Sequence, residues 1–265
     1  GSGKIGIARS GDLAIGDVTI GDVTIGDVAI GDVVMWRSRS LWLTTVLLAS
    51  AVGIAAQDAR LPPPFPRTNA TALFENDRIR VWDIVWPKGQ PTVLHRHIYD
   101  QVGTYYAAGG RVITTPDGTA RTTDTPVGSL STTRKGTTHI EEGNTEPPLR
   151  AVFVELKKDA PLGGEPAAVG APAFPREGAK QVLDDDRVTA WDYTWPSNGQ
   201  GPRYRAARET VVVFLGSGTL RVSGVNGPPT TEAVRAGSMR HMDRGAGESI
   251  EIVQGTPRAI VFQFK

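Results

Sequence analysis

Four histidines occur in the chain, at positions 95, 97, 139 and 241. His95 and His97 are two apart in TVLHRHIYDQV, a β-branched and aromatic run that predicts a strand. Both imidazoles therefore leave the same face of that strand. If that face is the inside of a closed sheet, two imidazoles are costly to bury alone, and a metal ion is a natural partner. On a solvated sheet face the same pair is ordinary polar surface. Cysteine is absent, which removes disulfides, zinc–thiolate sites and cysteine nucleophiles together. The sequence shows no separate nucleophile triad, phosphate loop or dinucleotide fingerprint.

The elements that must position these residues occur twice. Phe65, Pro66 and Arg67 recur as Phe174, Pro175 and Arg176, 109 positions on. The same offset carries Asp77-Arg78 to Asp186-Arg187, Trp82-Asp83 to Trp191-Asp192 and Trp86-Pro87 to Trp195-Pro196. It also carries Gly109 to Gly218, Gly118 to Gly227 and Gly128-Ser129 to Gly237-Ser238. After a slip of one residue, Arg150-Ala151 matches Arg258-Ala259 and Lys157 matches Lys265. An offset held this long means two homologous domains. Segments such as IRVWDIVW, RVITTP and LRAVFVEL read as short strands, Asp117-Gly118 and Asn226-Gly227 read as matched hairpin turns, and no long amphipathic helix pattern appears. The expected fold is all-β, two barrels or jelly rolls in tandem.

The first copy resembles the cupin superfamily. Gly89, five residues, His95-Arg96-His97, then Gln101 and Gly109 follow that family's first motif, with Gln where Glu is usual. Gly128, Gly136 and His139 follow its second motif, with Asn144 one residue late and Arg134 in place of the usual Pro. The resemblance covers residues 65–157 well and 174–265 as a weaker copy. It implies two tandem cupin barrels (double-stranded β-helix, or jelly roll). It also implies that His95, His97 and His139 ligate a divalent transition metal: zinc, iron, nickel, copper or manganese. The fourth ligand is Gln101, which shares strand parity with the histidines, or water. Asp100 is the better donor chemically but falls on the opposite face unless a bulge intervenes. Glu141 and Glu142 follow His139 and are either proton acceptors or solvated loop residues.

In the second copy the ligand positions are lost together: His95 becomes Tyr204, His97 Ala206, Gln101 Thr210 and His139 Glu248. Arg203, Arg205 and Arg208 cluster there and read first as a solvated edge, second as an anion site. His241 falls at no motif position and reads as ordinary surface. The tryptophan pairs recur in both copies, histidine-bearing or not, which argues for packing rather than a sugar platform. Asn69-Ala70-Thr71 matches a glycosylation acceptor, relevant only in a eukaryotic secretory pathway.

Residues 1–34, with a GDVTI-type period over 11–33, read as low-complexity sequence outside the fold. Residues 35–56 combine Arg37 and Arg39, an apolar run from Leu41 to Ala56 and small residues at its end, the pattern of a signal peptide. Cleavage after Ala56 would leave an exported protein, periplasmic or extracellular, with no stable membrane insertion. The alternative is an uncleaved anchor over 41–56. The expected domains are then 57–157, metal-binding, and 174–265, degenerate, joined by a Pro/Gly-rich linker over 158–173. Lys plus Arg is 29 and Asp plus Glu 28, which gives no electrostatic case for nucleic acid. The expected partners are a small-molecule ligand and, in an oligomer, further copies of the chain. Two functions fit: a metal-dependent enzyme, dioxygenase-like or isomerase, or a non-catalytic ligand-binding or structural protein.

Overall fold

A computed structural model describes residues 61–158, 172–196, 204–224 and 227–265. The repeat at 11–33, the segment 35–56, most of the 158–173 linker, Arg203 and Asn226 lie outside the described residues.

The first copy runs β1 (Ala70–Glu75), β2 (Ile79–Trp86), β3 (His95–Arg96), β4 (Asp100–Ala107), β5 (Gly109–Thr114), β6 (Ala120–Thr125), β7 (Leu130–Thr133), β8 (Thr138–Gly143) and β9 (Leu149–Leu156). The second runs β10 (Lys180–Asp184), β11 (Val188–Thr194), β12 (Tyr204–Arg205), β13 (Thr210–Phe214), β14 (Gly218–Gly224), β15 (Thr230–Val234), β16 (Met239–Met242), β17 (Gly247–Gly255) and β18 (Arg258–Phe264). No helix occurs among the described residues. In each copy a five-stranded antiparallel sheet faces a four-stranded one. The orders are β1-β2-β9-β4-β7 with β3-β8-β5-β6, and β10-β11-β18-β13-β16 with β12-β17-β14-β15. Every strand of one copy thus has its counterpart at the same place in the other, as the repeat offset requires.

Alternation decides what each face meets. On β2, Trp82, Ile84 and Trp86 turn into the first barrel with Tyr105, Leu149, Ala151 and Phe153. The opposite faces of the two five-stranded sheets pack on one another. Ile79, Val81, Val102, Val152 and Val154 meet Val188, Val211, Val213, Ile260 and Phe262 in one apolar layer. Packing on both sides buries β4 and β9 almost from end to end.

The layer between the barrels has pseudo-twofold symmetry. Arg78 of the first barrel pairs with Glu209 of the second at 3.0 Å, and Arg187 of the second pairs with Asp100 of the first at 2.9 Å. Arg78 and Arg187 are repeat counterparts, as are Asp100 and Glu209. This is the isologous pattern of a C2 dimer interface, here within one chain. His241 belongs to it and is not ordinary surface. Its ring stacks on Phe74 of the first barrel at 4.0 Å, and its Nε2 lies 2.9 Å from Glu209.

Candidate metal centre

His95 lies directly opposite His139 across the short β3–β8 ladder. His97 extends that ladder by one step: its N–H donates to the Thr137 carbonyl, and its own carbonyl accepts from Gly136 N–H at 2.7 Å. All three side chains point inward and are buried. Their ring centroids are 4.8 to 5.4 Å apart, and one nitrogen from each lies within 4.8 Å of the others. The tightest approach is between His97 Nε2 and His139 Nε2, 3.3 Å.

The protonation state suits a metal. His95 Nδ1 lies 3.0 Å from the Val93 carbonyl, which can only accept. The proton is thereby placed on Nδ1 and the lone pair on Nε2, which is buried with no hydrogen-bond partner among the described residues. Burial, reinforced by the neighbouring imidazoles, pushes His97 down to about 3. Burial also pushes His139 down to about 4, against the pull of Glu141, and lowers His95. Neutral imidazoles are the ligating form. An orphaned Nε2 and two imidazoles facing each other through Nε2 fit a divalent transition metal.

Gln101 turns into the same barrel from the opposite sheet. It is buried, and its Nε2 has no partner among the described residues. The reading of Asp100 as an alternative ligand is corrected. Its carboxylate faces the second barrel, accepting from Lys135 N–H at 2.8 Å and Arg187 at 2.9 Å, with Arg134 at 3.5 Å. The bulge of β4 falls at Tyr105–Ala107, past Asp100, and does not turn it inward.

Glu141 and Glu142 are strand residues of β8, not loop residues, and alternation separates them. Glu141 shares the inward face with His139. It accepts from Arg111, from Trp86 Nε1 at 3.0 Å and from Arg67 at 3.3 Å, and its Oε1 lies 3.8 Å from His139 Nε2. Burial alone would raise its pKa, but Arg111 and Arg67 override this and hold it at about 2. Arg111 also donates to the Tyr105 hydroxyl at 2.6 Å. Arg67 and Arg111 were not singled out in the sequence for this site, although Glu141 shares the strand parity of His139 and so points to an inward charge needing partners.

No family model matches the sequence, and no curated protein matches it. Solved structures do. AerE from Microcystis aeruginosa superposes with a TM-score of 0.53 at 12% identity, over 77% of this chain and 98% of that one. A cupin 2 conserved barrel domain protein from Leptotrichia buccalis gives 0.50 at 11% identity, over 74% and 88%. The oxalate decarboxylase of Lactobacillus farciminis, in a formate complex, gives 0.50 at 14% identity, over 76% and 85%. The chain has the fold of a two-barrel cupin protein.

The second barrel keeps the ladder and lacks the histidines. Tyr204 lies opposite Glu248 as His95 lies opposite His139. Ala206 repeats the backbone bonds of His97, donating to Ala246 and accepting from Gly245. The Tyr204 hydroxyl donates to Glu248 at 3.3 Å, and Arg240 donates to the other oxygen at 2.9 Å. Around them Leu220 and Ile250 stand where the first barrel has Arg111 and Glu141, inside a continuous apolar core. Of the arginine cluster, Arg205 and Arg208 are half-buried rather than solvated. The repeated tryptophans pack with the barrel aromatics: Trp82 stacks on Phe65 at 4.7 Å, and Trp191 on Phe174 at 6.2 Å.

Proposed function

We propose that the first barrel binds one divalent transition metal (zinc, iron, nickel, copper or manganese) through His95, His97 and His139, with Gln101 as fourth donor. We propose further that it acts there on a small ligand as a dioxygenase-like oxidoreductase or an isomerase. The supporting observation is the convergence of three buried neutral imidazoles, one with an orphaned Nε2. When bound, the metal would supply Lewis-acid polarisation of a ligand oxygen, and an all-neutral donor set leaves its charge undiminished. The protein's own part is to hold His95 in one tautomer through Val93, to keep His139 oriented beside Glu141, and to exclude water with Trp86 and Tyr105. In this proposal residues 35–56 direct the protein out of the cytoplasm, and their removal is read from the N-terminus of the mature protein.

Elemental analysis of the full-length protein tests the centre. About one transition metal per chain is expected, with loss in His97→Ala. A wild-type protein that neither retains nor rebinds any of the five metals would end the proposal.

One observation favours a second, non-catalytic reading. Glu141, the carboxylate beside the histidines, is held ionised by two arginines and is a poor proton carrier. Cobalt(II) substitution separates the two readings. A shift of the cobalt spectrum on adding azide reports an open coordination position, which catalysis needs. A spectrum unmoved by azide supports the binding or structural role.

A further inference from the structure

Beside the histidine cluster lies a cavity of about 420 Å³. His95 and Trp86 line it, and the rest of its lining is largely apolar, with Pro62, Val85, Pro91 and Val93 among the residues. Arg67 reaches into the same cavity. Two guanidiniums, half-buried Arg67 and buried Arg111, share the single carboxylate of Glu141. Arg111 is the better served, with the closer contact to Glu141 and a second bond to the Tyr105 hydroxyl. Arg67 has one long hydrogen bond, Nη2 to Glu141 at 3.3 Å, and distant ring contacts to Phe65 and Trp86 at 5.5 and 5.7 Å, and its Nε is buried with no hydrogen-bond partner among the described residues. Burial, with Arg111 nearby, pushes the Arg67 guanidinium below its ordinary pKa despite Glu141. The cluster thus carries one positive charge more than it neutralises.

The second barrel provides the control. Arg176, the counterpart of Arg67, donates its Nε to the Ala173 carbonyl at 2.7 Å. Its guanidinium is covered by the rings of Tyr204, Phe174 and Tyr193 at 4.3, 4.5 and 5.1 Å. Tyr204 stands where the first barrel has His95. The same arginine thus has an acceptor for its Nε and closer ring cover where the histidines are gone, and an unpartnered Nε under looser cover where they are present.

We propose that Arg67 anchors the carboxylate of a small monoanionic ligand with an apolar body, seated in this cavity against His95. The proposal rests on the reading of the first barrel as the ligand-binding one. A guanidinium fork matches a carboxylate in plane and in donor spacing. One uncompensated charge selects a monoanion over a phosphate ester. Walls of proline, valine and tryptophan select an apolar or aromatic remainder, and the volume suits a small molecule.

Benzoate is the probe and benzamide its uncharged control, titrated calorimetrically into full-length protein, metal-free and zinc-loaded. Benzoate is expected to bind both forms, at least tenfold more tightly than benzamide. Arg67→Gln is expected to weaken benzoate at least tenfold in both the metal-free and the zinc-loaded protein, with Arg67→Lys intermediate. Equal affinity for benzoate and benzamide, absence of benzoate binding, or full benzoate affinity in Arg67→Gln would each overturn the proposal, whatever the zinc result. Benzoate bound by a protein that takes up no zinc would leave this proposal standing and remove the metal. Should Arg67→Gln fail to fold, the Arg67 Nε–H resonance of the wild type decides: it shifts on adding benzoate, and a resonance unmoved at saturation rejects the anchor.

Discussion

Arg78 Nη1 lies 3.0 Å from Glu209 Oε2 across the two barrels. The Glu209 side chain is only 3% exposed and also accepts from Asn76 at 2.6 Å and faces His241 at 2.9 Å. Its counterpart Asp100, paired with Arg187, is 20% exposed. Removing Glu209 takes the acceptor from Asn76 and His241 as well as the partner from Arg78, whereas Arg187 keeps the Lys158 carbonyl when Asp100 is removed. Glu209→Ala is therefore expected to cost about 3 kcal/mol, as breaking a buried pair does. Asp100→Ala, nearer solvent, should cost about 1 kcal/mol. Urea unfolding of the two variants checks the order, and equal losses would contradict it. Neither substitution should change metal stoichiometry, since both acids face away from the histidines.

Much of this arrangement was legible in the sequence because repeated residues are punctuation. Gly128 and Gly237 both have φ of +85° and both pack against the opposite barrel, near Leu215 and Tyr106 respectively. The histidine triad was legible because two imidazoles share strand parity and the third completes a second motif. Asp100 and His241 were not. Their partners, Arg187 and Phe74, come from the other barrel, and no local spacing encodes that contact. Glu141 and Glu142 are neighbours in sequence, but a period of two on β8 sends one inward and the other out.

Glu155 offers a pH test. Trp82 Nε1 donates to its carboxylate at 2.8 Å, as Trp191 Nε1 donates to Gln263 at 3.0 Å in the second barrel. Burial raises the Glu155 pKa above 4.5, against Trp82, Arg80 and Lys157. The folded form then holds a proton that the unfolded chain releases, so stability is lost as pH rises from the unfolded value through the folded one. Glu155→Gln keeps the bond to Trp82 and removes the loss. It should match the wild type below about pH 4, gain on it as Glu155 ionises, and stay ahead at neutral pH. Unfolding curves at several pH values check this, and a variant weaker than the wild type at neutral pH would refute it.

The Tyr204–Glu248–Arg240 group fills the place of the lost centre and is expected to act in stability alone. Glu248→Ala leaves the Tyr204 hydroxyl buried without its acceptor and Arg240 with only Glu232. A loss of about 2 kcal/mol follows from stranding buried polar groups. Metal content should remain at the wild-type value. A fall in metal content in this variant would mean that the second barrel contributes to binding after all.

Gly143 ends β8, the strand that carries His139 and Glu141. Its N-terminal neighbours hold the centre, and its own backbone lies against the end of β2. A Cβ added there would sit 2.0 Å from the Trp86 carbonyl oxygen and 2.7 Å from that of Pro87. Both obstacles are backbone, and Gly143 O already accepts from Gly89 N–H at 2.9 Å, so neither side can give way cheaply. Gly143→Ala should cost about 3 kcal/mol, at the upper end for overpacking. Relief of the clash must move β8 away from β2, which shifts Glu141 from Trp86 and His139 from His95. Weaker metal binding should therefore accompany the loss of stability. Asp117→Ala, in the exposed β5–β6 turn of the same barrel, should leave metal binding intact. Zinc titration of both variants, at a temperature where each is folded, checks the link. Unchanged zinc affinity in a folded Gly143→Ala would show that the centre does not depend on the seating of β8 against Trp86.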